Sequence, residues 1–246
     1  MIFAGKLARI GNRILGIFVV LLILVLVSYG GYSLWDTFRL YQSAYASSDL
    51  IRYKPSADKS PDDPTLADLA ALNDEVIGWI TIDGTHIDYP IVQSSDDQLE
   101  YVNKDVYGEF SLSGAIFLDV NNAPDFTDRY SLLYGHHMDN GAMFGDVTEF
   151  EDESYFDSHQ TGTLYLLDGT TYQITIFACV ETDAMDEVVF NPTAQQDSVQ
   201  ELLDHIEGLT VQERDIGLTD SDRIIGFSTC EDAETNGRTI VYGRLE

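Results

Sequence analysis

The sequence predicts a mainly β protein: a closed or nearly closed barrel of eight strands with peripheral helices, preceded by one N-terminal transmembrane helix. Three observations predict it. From residue 76 onward, short β-branched and aromatic runs alternate with turn residues, Asp83-Gly84 and Asp168-Gly169 among them. Such punctuation marks many short strands. One amphipathic stretch, 194–209, interrupts them. Residues 15–34 are uncharged and almost wholly apolar, enough for the ~20 residues that a spanning helix needs.

The uncharged run extends from Ile14 to Trp35, and Lys6, Arg9 and Arg13 precede it with no acidic residue among them. That excess of positive charge puts 1–13 in the cytoplasm, 14–35 in the membrane and the rest outside. A cleaved signal peptide would have a shorter apolar region and a small-residue cleavage site, whereas this run ends in Tyr32, Leu34 and Trp35. Residues 36–63 begin as a helical extension and finish as a Pro/Ser/Asp/Lys linker in which no packed core is expected. The ectodomain proper is 64–246, about 180 residues, enough for one domain with a sizeable core.

Asp63-Pro64 opens a short helix through Asn73, with Asp as the cap and Pro at the first position. Val76–Gln93 reads as a hairpin about Asp83-Gly84, and Leu99–Val102 as a helical turn. Gly114–Val120 is a third strand and Tyr130–Tyr134 a fourth. Met143–Phe150 is read as a short helix, and Thr163–Leu167 with Tyr172–Val180 as a second hairpin. In 194–209, Val199, Leu202, Leu203, Ile206 and Leu209 recur at spacings of three and four, a helical stripe that packs on the barrel. Ile224–Ser228 and Thr239–Tyr242 are the last two strands, joined by the polar segment Glu231–Gly237.

The formal net charge is −29. With the three basic residues before the span set aside, ten Lys and Arg face forty-two Asp and Glu, leaving the exterior at about −32. Phosphate contacts need a basic face, so a nucleic-acid partner is excluded. Of the two cysteines, Cys179 lies in the apolar run ITIFACV and Cys230 at a strand end beside Ser, Thr and Glu. Outside the cell a Cys179–Cys230 disulfide is one reading; a buried Cys179 with a reactive Cys230 is the other.

Three strand-end residues carry chemistry. Cys230 is a nucleophile as its thiolate, which nearby positive charge favours. His136 supplies such charge and donates a proton to a departing amine. Arg238 is a permanently charged fork for a carbonyl or oxyanion. Each has a plainer reading: His136 as a loop hydrogen-bonder, Arg238 as a surface partner of Glu231 or Glu246, contributing little. No metal or other cofactor is expected. His136 and His137 are adjacent on an extended chain and point to opposite faces, and no HExxH or CxxC spacing occurs. The loop with Asp119, Asn121, Asp125 and Asp128 lacks the EF-hand spacing.

The ordered segments DEVIGWITIDGTHIDYPIVQ, SGAIFLD, LLYGHHMDNGAMFGDV and FSTCEDAETNGRTIVYGRL resemble the sortases, membrane-anchored cysteine transpeptidases of Gram-positive bacteria. GAMFGD and the helix at 194–209 are most similar to class B. The resemblance covers about Asn73 to Leu245 and implies an eight-stranded sortase-type barrel. It implies Cys230 as nucleophile, His136 as general acid/base, Arg238 as oxyanion and substrate stabiliser, and Ser228 and Thr229 as substrate-binding residues. It implies cleavage of a C-terminal sorting signal after Thr through a thioester. The partners it implies are surface proteins bearing that signal and a lipid II-type peptidoglycan precursor as amine acceptor. Two alternatives stand beside this: a pilin polymerase with a Lys acceptor, and a non-catalytic acidic wall-binding ectodomain holding the disulfide.

Overall fold

A computed structural model describes residues 2–46, 48–230 and 236–246, leaving the side chains of 2–8, 39–43, 48 and 230 undescribed. The chain divides into Met1–Gln42 and Ser43–Glu246. The first lies in one helix, α1 (Ile2–Ala44). Within it Arg9–Phe38 is long and apolar enough, by length and composition, to cross a membrane, and Ile14, Val25, Tyr32 and Trp35 are all exposed. A helix apolar all round has no single face to bury against its own domain.

The second unit starts earlier than residue 64. After α2 (Ser48–Ile51), Tyr53 is buried with Leu66, Leu69, Trp79 and Tyr101. Lys54 Nζ reaches Asp88 at 2.8 Å, a carboxylate that also accepts from Trp79 Nε1 at 2.7 Å. The stretch read as a coreless linker therefore packs, because one aromatic ring and one lysine find partners on strands far ahead in the chain. Helix α3 (Leu66–Ala70) is capped by Thr65, not Asp63. Thr65 Oγ1 accepts from Asp68 N at 3.2 Å, while Asp68 Oδ2 accepts from Thr65 N at 2.7 Å, a reciprocal box that satisfies two otherwise orphaned donors.

Strands β1 (Val76–Ile82) and β2 (Asp88–Val92) form the expected hairpin, with Gly84 at φ +82° in its turn. Leu99–Val102 gives a 3-10 turn at Glu100–Val102. β3 is only Ile116–Leu118. Gly114, at φ +60°, lies against the Val102 carbonyl, where a Cβ would come to 2.6 Å, and cannot extend the strand. β4 is Tyr130–Tyr134. The helix read at 143–150 is a 3-10 segment, Gly145–Glu151, followed by α4 (Glu153–Ser158) capped by Asp152.

β5 (Thr161–Leu166) and β6 (Thr171–Asp183) pair about Gly169. The helix read at 194–209 shortens to a 3-10 turn, Pro192–Gln195, and α5 (Gln200–Glu207). Val199, Leu202 and Ile206 are buried with Tyr130, Leu132, Ile224, Ile240 and Tyr242, so the stripe packs on the barrel wall. A short β7 (Thr210–Glu213) against β6 was not legible beforehand. β8 (Arg223–Cys230) and β9 (Gly237–Leu245) complete the count. The order β5-β1-β2-β3-β4-β8-β9-β6 closes through β5–β6 into an eight-stranded barrel, with β7 outside the ring on β6. Closure pairs the eight strands on both sides, except that β6 runs on past β5 and leaves at 178–180 the edge that β7 takes.

Candidate active site

Most neighbours in the ring are antiparallel, but β2 runs parallel to β3 and β4 parallel to β8. The C-terminal ends of β4 and β8 therefore emerge at one rim. The register pairs Tyr134 with Ser228; His136 lies two residues beyond the first and Cys230 two beyond the second. β9 enters antiparallel at the same rim with Arg238 directly opposite Cys230. Positions 136, 230 and 238 thus occupy three neighbouring chains at one end of the barrel, although nearly a hundred residues separate the first two in sequence. Adjacent strands lie about 4.8 Å apart, so the spacing suits groups that act on one substrate bond.

His136 is half-buried, and its Nε2 donates to the Val102 carbonyl at 2.8 Å. A carbonyl can only accept, so Nε2 carries a proton and Nδ1 is the nitrogen able to gain or release one. The backbone around it is tightly held. Gly135 N donates to Ser228 O at 3.2 Å, and Phe144 N donates to His136 O at 3.0 Å. A Cβ on Gly135 would come within 2.6 Å of Ile116, which is why a glycine precedes the histidine. His137 bridges to Met143 instead.

Arg238 is half-buried, with Nη1 donating to the Gly237 carbonyl at 2.8 Å. Glu246, one partner suggested for it, is bound by Arg244. Glu231, the other, lies outside the described residues, with most of the segment joining β8 to β9. Ser228 and Thr229 are both buried. Alternation sets Ser228 opposite Ile240 on the helix-covered outer face, and Thr229 opposite Thr239 on the interior face. Thr239 donates to Glu151 Oε1 at 2.9 Å, so the Thr229 side chain looks into the barrel rather than along the rim.

The disulfide alternative does not hold: Cys179 is a free, buried thiol. It pairs with Val241 across β6–β9, two strands from β8 and three positions along β9 from Arg238. Ideal spacings put the two cysteine Cα atoms well beyond the ~7 Å a disulfide spans. Burial, reinforced by Glu151 and Glu181, pushes the Cys179 thiol up to about 12. The acidic loop uses its carboxylates internally: Asp119 accepts from Asn121, and Asp128 from Asn122 and Ala123.

Tyr134 escaped the sequence reading. Its ring stacks between Phe117 at 5.3 Å and Phe190 at 6.4 Å, and its hydroxyl donates to Asp119 Oδ2 at 3.0 Å. Burial, then Asp119, raise its pKa well above the usual phenol range, while Arg238 lies near enough to oppose them. Tyr134 joins the hydrophobic cluster under α5 to that under α3, directly before the histidine loop. The strand-end position two residues before His136 was the available signal; the aromatic partners come from residues 17 and 56 positions away.

The sortase domain model matches residues 80–246. Sortase B of Listeria monocytogenes is 32% identical over 182 residues, covering 73% of each chain. Sortase B of Staphylococcus aureus is 27% identical over 240 residues, 95% of this chain and 97% of that one. Among solved structures, a Streptococcus pyogenes class B sortase involved in pilus biogenesis aligns with a TM-score of 0.68 at 46% identity, over 73% of this chain and 97% of that one. Sortase B from the type II pilus of Streptococcus pneumoniae gives 0.60 at 41%, with the same coverage. A Staphylococcus aureus sortase B–substrate complex gives 0.65 at 29%, over 74% and 84%. With the barrel closed as in those structures, the chain belongs to the sortase family and groups with its class B members.

Proposed function

We propose that this chain is an active cysteine transpeptidase that cleaves a C-terminal sorting signal after Thr and passes the acyl group to an amine. What carries the reading is the register: Arg238 opposite Cys230, with His136 equally far past the paired Tyr134 and Ser228. The Cys230 thiolate attacks the carbonyl carbon of the Thr, and the carbonyl oxygen becomes an oxyanion that Arg238 stabilises. Protonated His136 gives its Nδ1 proton to the leaving amine as the C–N bond breaks, and a thioester remains on Cys230. The acceptor amine attacks the thioester, its proton goes to His136, and the thiolate departs. Ser228 flanks the acyl-binding rim, and Thr229 contributes through its backbone.

The leading acceptor is the amine of a lipid II-type wall precursor, with a surface protein as donor. A pilin Lys is the second reading, and it fits two relatives at 46% and 41% identity, one described as involved in pilus biogenesis and the other as from a type II pilus. Arg9–Phe38 would anchor the enzyme, with Lys6, Arg9 and Arg13 holding the N-terminus in the cytoplasm. Tethering enzyme, donor and acceptor at one surface raises their effective concentration.

Incubation with a library of sorting peptides, followed by mass spectrometry, tests the proposal. The expected result is a Thr-terminated acyl adduct on Cys230, absent in Cys230→Ala. Adducts that persist in that variant, or none on the wild type, would overturn it.

A further inference from the structure

The loop that follows His136 is held from outside the barrel. Its closure is internal: Phe144 N donates to His136 O, and His137 bridges to Met143. Met143 has φ 55° and is buried, a left-handed conformation that a methionine keeps only where its surroundings impose it. Its N–H donates to the Tyr89 hydroxyl at 2.9 Å. The same hydroxyl donates to the Ala44 carbonyl at 3.1 Å. One residue on, the Tyr45 hydroxyl donates to the Asn140 carbonyl, and the Tyr45 ring meets His86 edge-on at 5.5 Å. His86 is fixed in turn by Asp146, which accepts from its backbone N–H at 2.7 Å and lies 3.0 Å from its Nδ1. Ala44 is the last residue of α1 and Tyr45 the first beyond it.

Resting on the transpeptidase reading above, we propose that Ala44, Tyr45 and Tyr89 form a brace that sets the position of the His136 loop, making the segment after the apolar helix part of the catalytic apparatus. Tyr89 and Tyr45 are positioning residues. Neither touches the reacting atoms; each fixes one carbonyl or N–H of the 140–143 turn, and that turn closes on His136. Burial raises the Tyr89 pKa well above the usual phenol range, so its hydroxyl keeps the proton that it donates to Ala44 throughout the neutral range. The brace responds to displacement of residues 44–45.

The test uses the full-length chain in detergent micelles, comparing wild type, Tyr45→Phe and Tyr89→Phe. Three quantities are read: kcat and KM on a sorting peptide, and amide hydrogen exchange across 137–146. Both variants should lower kcat about tenfold with KM within about twofold, because a slightly displaced acid/base slows chemistry without weakening binding. The Phe144 amide should exchange about tenfold faster. Tyr45 is half-exposed, so its variant keeps the test valid if the buried Tyr89→Phe misfolds. Unchanged kcat, or an equal loss in KM and kcat with unchanged exchange, overturns the brace. If the wild type itself does not turn over, the transpeptidase reading fails instead, and the exchange of Phe144 alone decides whether the brace holds the loop.

Discussion

Strands β6, β8 and β9 carry two regions one pleat apart, and each treats a cysteine in its own way. The interior row runs through Phe227, Thr229, Thr239, Val241 and Cys179, all buried. It is closed to solvent, and Glu151 and Glu181 add negative charge beside Cys179, so that thiol stays protonated. The rim brings Tyr134, His136 and Arg238 to the paired ends of β4, β8 and β9. There His136 and Arg238 are half-buried, and under the proposed function their positive charge favours a Cys230 thiolate. On the proposed reading the same residue type is inert in the interior row and reactive at the rim, and position along the strand makes the difference.

Thiol labelling tests this contrast most sharply. Native protein treated with iodoacetamide near pH 8 should take one label, on Cys230, and a second, on Cys179, only after unfolding. With the interior thiol at about 12, about one molecule in 10⁴ holds that thiolate, and the core shields it further. Prompt native labelling of Cys179 would erase the distinction.

A smaller effect is expected at the rim. Arg238→Lys keeps the charge but loses the planar two-donor fork, and kcat/KM should fall by about 10²–10³. Near-wild-type turnover would remove Arg238 from oxyanion stabilisation and leave its position opposite Cys230 without a mechanistic role.

The smallest effect concerns the wall beside the rim. Asp186 accepts from Thr182 Oγ1 at 2.8 Å and from Val188 and Val189 N–H, and lies 2.7 Å from His205 Nε2. It ties α5 to the end of β6, four residues before Phe190. Burial works to raise its pKa, but His205, Thr182 and the two amides together outweigh it and hold the carboxyl below the usual range. The folded value lies below the unfolded one near 3.9, so this contribution is complete above that pH and is lost as pH falls through the lower, folded value. Asp186→Asn should destabilise by about 1–3 kcal/mol at pH 6, with the gap to wild type closing on acidification in thermal melts. A gap that is constant from pH 6 to pH 2 would show that the charge plays no part.

Much of the fold was legible because it is written locally. The two Asp-Gly turns announce their hairpins, apolar, β-branched and aromatic runs mark β4, β8 and β9, and the three-four spacing of Val199, Leu202 and Ile206 marks the face that α5 buries. Its length was overestimated because Pro192 and the Asp197-Ser198 pair admit a 3-10 turn that an apolar count does not register. β7 was missed for a related reason: TVQE is short and polar, and becomes a strand only because β6 offers an edge. The resemblance named the candidate triad, but nothing local said that His136 would donate to Val102, or that Tyr134 would be held between Phe117 and Phe190.

The amino-acid sequence alone determined where strands and turns fall, which residues could act as nucleophile, acid and cation, and where an apolar helix lies. These follow from periodicity and side-chain chemistry within a few residues. Only the tertiary structure decided that Cys179 is sealed inside, that positions 136, 230 and 238 share a rim, and that residues 44–54 belong to the domain. The reason is that register between β4 and β8 joins segments nearly a hundred residues apart. A slip of one position would reverse every face without changing any local pattern.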